Sequence, residues 1–401
     1  MTETDRSPQT VVVALATTTA VQALVTMAAL TVSVYAPQAA RDLGIAPGAI
    51  GFYASLTYVG AMLGSLVSGG FVLRYGAIRF SQAAMLLCAL GLFACVGGHW
   101  IWFVVSAFVF GFGYGPTTPA SSYILSRHTP PRYWSLVFSI KQTGVPLGGV
   151  LAGLVVPALL LYFSWQTVTV IVSATIVIGA LALQIWRRRF DIDLVPEQPL
   201  VRGNVLGPLR LIFSRPALRL LAIGTFFFSA TQQSYIYFLV TYLETGIGWS
   251  TQQAGFALSV LGLSAVAGRM GWGALADATG RSRAILGCIA LAMSAAITAT
   301  ALFSGTWPGW GVYVICAVFG ATGAAWNGVY LAQITRSVAP EEVGHATGGG
   351  LFVTFAGVVV TPPLFGLVID WSGGFTIGYL LLAAITAAVG AVFLSPLARN
   401  H

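Results

Sequence analysis

Charge is what this sequence has least of. Only 7% of its residues are Asp, Glu, Lys or Arg, against 57% hydrophobic, and one lysine, Lys141, stands among 401 residues. A solvated globular surface needs roughly a quarter of the chain charged, so a soluble fold is excluded. Cysteine is scarce too. Cys88, Cys95, Cys288 and Cys316 all fall inside apolar segments without metal-ligand spacing, so no disulfide, metal centre or other cofactor is expected. The chain also lacks a phosphate-binding Walker sequence and a His/Asp pair at mid-depth. ATP drive and a membrane-embedded enzyme are therefore both disfavoured.

What the chain does have is long apolar runs. Twelve are placed, at 11–35, 48–72, 78–97, 100–124, 134–160, 164–186, 217–242, 250–275, 284–304, 309–334, 344–368 and 375–396. Each can cross a hydrocarbon core of roughly 30 Å, and backbone groups in lipid must be satisfied within the segment, so these are helices. The fold class is an all-α polytopic membrane protein of twelve transmembrane helices.

The net charge of +8 does not indicate nucleic acid, because the arginines cluster in alternate loops. Arg74, Arg79, Arg127, Arg132, the run Arg187–Arg189, Arg210, Arg215, Arg281, Arg283 and Arg336 fall on one side, and Arg41 is the exception on the other. That asymmetry predicts both termini in the cytoplasm, in a bacterial-type inner membrane. The first span, too long for a signal core, reads as uncleaved.

Residues 187–216 form the longest polar stretch and read as a cytoplasmic linker between halves 1–186 and 217–401. The halves repeat one another. At an offset of 204 residues, Gly44 pairs with Gly248, Gly51 with Gly255, Gly64 with Gly268, Gly69 with Gly273 and Gly76 with Gly280; further on, Gly111 pairs with Gly320 and Arg127 with Arg336. Two parallel six-helix bundles predict a pseudo-twofold along the membrane normal and a substrate site near mid-membrane.

The loop after span eight, GALADATGRSR (Gly273–Arg283), resembles the G-x-x-x-D-x-x-G-R-x-R motif of the major facilitator superfamily. The resemblance extends over essentially the whole chain and implies a secondary transporter working by alternating access, with Asp277, Arg281 and Arg283 as gating residues. The first-half copy, GGFVLRYGAIR, keeps Arg74 and Arg79 but has Leu73 where the acid belongs. The latch is therefore expected to lean on the second half. Span four has Ala107 where many proton-coupled members carry an arginine, which weakens an expectation of proton antiport.

Two cations sit deep in apolar helices, Lys141 and Arg269, with no Asp or Glu at similar depth. A charge there is expensive, and such residues ordinarily face a cavity. Lys141 stands roughly 10 Å in from the end of span five, flanked by Gln142 and followed by Gly144, Pro146 and Gly148. The bland alternative is a lysine that snorkels to the headgroups. Arg269 lies eight residues before Asp277. Its setting, R-x-x-x-G ahead of the loop motif, resembles the monocarboxylate and oxalate/formate transporter groups, which implies that it engages a substrate carboxylate. The bland alternative is an arginine holding loop carbonyls. Gln232, Gln233 and Tyr235 in span seven, Trp326, Asn327 and Tyr330 in span ten, and Tyr114 in span four complete the substrate-binding candidates.

The leading expectation is a monomeric transporter of a small monocarboxylate-like organic anion, by proton symport or anion exchange, with the lipid bilayer as its other partner. A proton-coupled exporter of drugs or neutral metabolites is the alternative, and a transport-dead sensor a distant one. Mutual repulsion of the two cations predicts that neutralising either would leave the empty protein as stable or more so.

Overall fold

The computed structural model describes residues 8–46, 48–130, 134–192, 194–197, 200, 207–338 and 343–395. All regular structure there is helical. The first six crossings use α1 (Pro8–Leu43), α2 (Ala49–Tyr75), α3 (Ala77–Ala94), the pair α4 (Trp100–Tyr114) and α5 (Thr117–His128), the pair α6 (Trp134–Gln142) and α7 (Gly144–Leu160), and α8 (Trp165–Ala182) running into α9 (Gln184–Phe190). The second six use α11 (Pro216–Thr241), α12 (Thr251–Thr279), α13 (Ser282–Ala301), the pair α14 (Gly309–Gly323) and α15 (Asn327–Arg336), α16 (Val343–Ser372) and α17 (Thr376–Leu394). Among the described residues ten runs are long and apolar enough to span a bilayer and a bent pair ending in α11 adds an eleventh; α2, at 27 residues, has the length of a further crossing.

The chain divides into two compact units, Met1–Leu43 with Leu56–Gly203, and Gly44–Ser55 with Asn204–His401. In the first, α1 packs along α7 and α8, and α3 packs between α4 and α8. In the second, α13 lies on α17, α11 on α16 and α12 on α14. The stretch read as a linker carries helix of its own. The seven-residue α9 prolongs the sixth span, and α10 (Gly207–Ser214) meets α11 at a bend of 109° and packs on α16. Pro216 explains the bend, because proline opens a new helix but cannot continue an old one.

The internal repeat is visible as repeated contacts. A Cβ on Gly111 would run into the Thr57 carbonyl oxygen, and one on Gly320 into that of Leu261, which is Thr57 plus the same 204-residue offset. Likewise Gly64 meets the Phe112 carbonyl and Gly268 that of Ala321. Each unit therefore crosses its second and fourth spans backbone to backbone, as small residues allow in membranes. The fourth span of each unit also breaks at matching places, at Gly115–Pro116 and at Ala324–Trp326.

Candidate functional site

Lys141 occupies the last turn of α6, next to a break at Thr143. Pro146 falls in the first turn of α7, where its missing N–H would have no intrahelical partner anyway. Its ring also clashes with a helical carbonyl four residues back, at Gln142, so the interruption at Thr143 falls in the turn that a proline disturbs. Gly144 and Gly148 face α1 so closely that a Cβ on either would come within 3 Å of the Thr19 and Ala23 carbonyls respectively. This approach of α7 to α1 carries Gln22 up against the lysine.

The ammonium is 1% exposed and does not run out to an interface. Lys141 Nζ donates to Gln22 Oε1 at 3.0 Å and to Thr118 Oγ1 on α5 at 3.4 Å. Thr118 also donates to Gln22 Oε1, at 3.3 Å, while Gln22 Nε2 donates to Thr26 Oγ1 at 3.3 Å. Three helices thus converge on one cation through neutral side-chain oxygens, in a region where an unmatched charge is costly. Gln22 escaped the sequence reading. Its sequence signal is an amide in the body of an otherwise apolar and hydroxyl-bearing first span, and the structure leaves it 2% exposed. Gln142 is half-buried at the end of α6. Tyr114, at the end of α4, has its ring 6.5 Å from that of Tyr58, and its carbonyl accepts from Thr117.

The other deep cation is held differently. Arg269 is half-buried in α12 and its Nε donates to the Ala324 carbonyl at 3.0 Å, just past the end of α14. One turn on, Trp272 Nε1 donates to the Ala321 carbonyl at 2.7 Å. The last carbonyls of a helix lack intrahelical donors, and a cation there also meets the negative end of the helix dipole.

In the same unit Trp326 Nε1 donates to Gln232 Oε1 at 2.9 Å, both groups being buried, and Phe228 stacks on the indole with centroids 5.3 Å apart. The Tyr330 ring lies 5.9 Å from Trp326, while Asn327 and Gln233 are half-buried. Tyr235 points elsewhere. It is fully buried between Phe319 and Tyr379, and its hydroxyl pairs with Thr300 Oγ1 at 2.9 Å.

Of the gating candidates, the Asp277 side chain lies outside the described residues. Arg281 is exposed at the start of α13, while Arg283 beside it has Nε and one Nη buried without a hydrogen-bond partner. Arg74 is exposed with its guanidinium 5.5 Å from the Tyr75 ring centre. Around Leu73 the structure supplies a carboxylate from elsewhere. Asp191, just past α9, accepts from the N–H groups of Ile78 at 2.8 Å and Arg79 at 3.0 Å, capping α3. Gly76 gives it room, with a φ of 96° and no side chain to block the carboxylate. Val195 N–H donates to the Leu73 carbonyl at 2.9 Å, pinning the segment after α9 to the same turn. The first-half loop is therefore held by an acid that its own sequence lacks. Burial pushes the Asp191 carboxyl above the usual carboxylate range, against the opposing pull of those N–H groups and of Arg79. Two further carboxylates serve as helix-end acceptors, Asp42 from Trp165 Nε1 at 2.7 Å and Asp370 from Gly48 N–H at 3.3 Å.

Comparison with known proteins gives this geometry a context. The family model of the Major Facilitator Superfamily matches residues 18–362 and 221–400. The hexuronate transporter of Bacillus subtilis (strain 168) is 23% identical over 373 residues, 88% of this chain and 86% of that protein. Monocarboxylate transporter 13 of Bos taurus is 25% identical over 86% of this chain and 80% of its own length. Among solved structures, a bacterial homologue of the human lysosomal transporter Spinster superposes with a TM-score of 0.80 at 17% identity, covering 98% of both chains.

Proposed function

The chain belongs to the Major Facilitator Superfamily, and on that premise we propose that it carries a small, monocarboxylate-like organic anion by alternating access. The observation behind this reading is Lys141, an ammonium inside a helix bundle and held by the neutral oxygens of Gln22 and Thr118. Side-chain oxygens can rotate away. A substrate carboxylate taking their place would gain a charge-assisted hydrogen bond in a medium where an ion pair is worth several times its value in water. Two relatives that match along most of the chain are named for hexuronate and monocarboxylate, both of which bear a carboxylate.

In this reading Lys141 is the charge that selects an anion, with Gln142 and Tyr114 as further candidates in its unit. Arg269, Gln232, Gln233, Trp326, Asn327 and Tyr330 are the candidates in the second unit. Tyr235, buried among aromatic rings, shapes the seventh span rather than touching substrate. Coupling is assigned to proton symport or anion exchange, and the protein to the inner membrane with cytoplasmic termini.

The test is uptake into proteoliposomes of labelled monocarboxylates and hexuronates, with an internal pH dye. Saturable uptake that acidifies the lumen supports symport, and uptake that needs preloaded anion supports exchange. Transport confined to cations or neutral compounds would overturn the anion reading.

A further inference from the structure

A cavity of about 720 Å³ opens where α9 continues the sixth span, beside the turn joining α2 to α3. Among the described residues, three guanidinium side chains line it, Arg79, Arg187 and Arg188, against one carboxylate, Asp191. That carboxylate is already engaged by two backbone N–H groups at the start of α3, so the lining retains an excess of positive charge. Apolar surface borders the same space. Ile185 is 75% exposed and Tyr75 40%. The apolar run of this span ends at Trp186, just before Arg187, which places the cavity where hydrocarbon gives way to headgroups.

We propose that this cavity is a binding site for an anionic phospholipid, with the phosphate held by Arg79, Arg187 and Arg188 and the start of an acyl chain lying on Ile185 and Tyr75. Arginine's planar fork suits a phosphate, and several basic groups at the end of a membrane helix attract acidic lipid. A free phosphate would satisfy the arginines but leave the apolar border unused. The lipid satisfies both. Occupancy would add a further tie between α9 and the α2–α3 turn, beside those that Asp191 and Val195 make.

The experiment is native mass spectrometry of the purified full chain with phosphatidylglycerol, phosphatidylcholine or inorganic phosphate. Phosphatidylglycerol adducts should exceed phosphatidylcholine adducts and fall by about fivefold for each arginine removed, in Arg187→Gln/Arg188→Gln and in Arg79→Gln. Arg79→Gln leaves the Arg187–Arg189 run intact, so it disturbs the orienting charge least. Equal adducts on the wild type and both variants would overturn the site. Equal binding of the two lipids would overturn its charge selectivity, and complete displacement of phosphatidylglycerol by an equal concentration of inorganic phosphate would make it a phosphate site instead.

Discussion

Lys141 and Arg269 look alike in the sequence, each a lone cation in an apolar helix, and the structure separates them by what they hold. Lys141 sits beside a helix break and reaches side-chain oxygens on two other helices, Gln22 Oε1 and Thr118 Oγ1. Arg269 sits within an unbroken helix and reaches a main-chain carbonyl, that of Ala324. A side-chain acceptor can swing away and surrender the cation to a ligand. A carbonyl at a helix end cannot move without the helix. In the proposed reading the side-chain acceptors of Lys141 can yield to a ligand while the Ala324 carbonyl stays with Arg269, so removal of the two cations should have different consequences. The expectation that neutralisation leaves the empty protein at least as stable is therefore kept as a prediction for Lys141 and replaced by one of lower stability for Arg269.

The largest expected effect is at Lys141. Lys141→Gln should abolish anion uptake while leaving the melting temperature of the empty protein unchanged or higher, and Lys141→Arg should retain part of the uptake. Vesicle uptake measured beside thermal melts checks both, and near-normal uptake by the glutamine variant would end the functional reading of this residue.

Gln22→Glu sharpens the contrast from the partner's side. A carboxylate placed 3.0 Å from Nζ would compete with any anionic substrate, so uptake should fall by about tenfold or more while the melting temperature rises. A variant that melts higher and still transports normally would show that the ammonium never meets substrate.

Arg269→Gln should act mainly on stability. Leaving the Ala324 carbonyl without its donor costs about 1–3 kcal/mol, read as a lower melting temperature, whereas Arg269→Lys should recover part of it. If the lysine variant melts normally yet loses uptake, the guanidinium fork has a substrate role beyond the helix end.

The smallest effect concerns Asp191. Its carboxyl is raised in the folded protein, so the folded state holds the proton more tightly than the unfolded chain does. Its contribution to stability is therefore fully present below the ordinary carboxylate range and declines as pH rises through the raised value. Asp191→Asn should flatten that part of the pH–melting curve, and an unchanged curve would show that the buried carboxyl does not titrate there.

Much of this protein is legible in its sequence. Twelve spans, the glycine repeat and the two isolated cations follow from local properties, namely apolar run length, residue size and the cost of charge in lipid. Gln22 was not legible as a partner of Lys141, because 119 residues separate them and only the close packing of α1 on α7 brings them together. Asp191 was hidden for the same reason. The loop motif around Leu73 showed a missing acid, while the acid that caps α3 arrives from beyond the sixth span, 113 residues downstream of Ile78.

By itself, then, the sequence determined that the chain crosses a membrane as two repeated sets of six helices and that two cations lie deep within it. Insertion and helix formation depend on what each segment is made of, and composition can be read residue by residue. Only the tertiary structure decided which of those cations meets movable side chains and which meets a fixed carbonyl. Hydrogen-bond partners within a helix bundle are set by which faces pack together, and that is a property of helix pairs that no single segment carries.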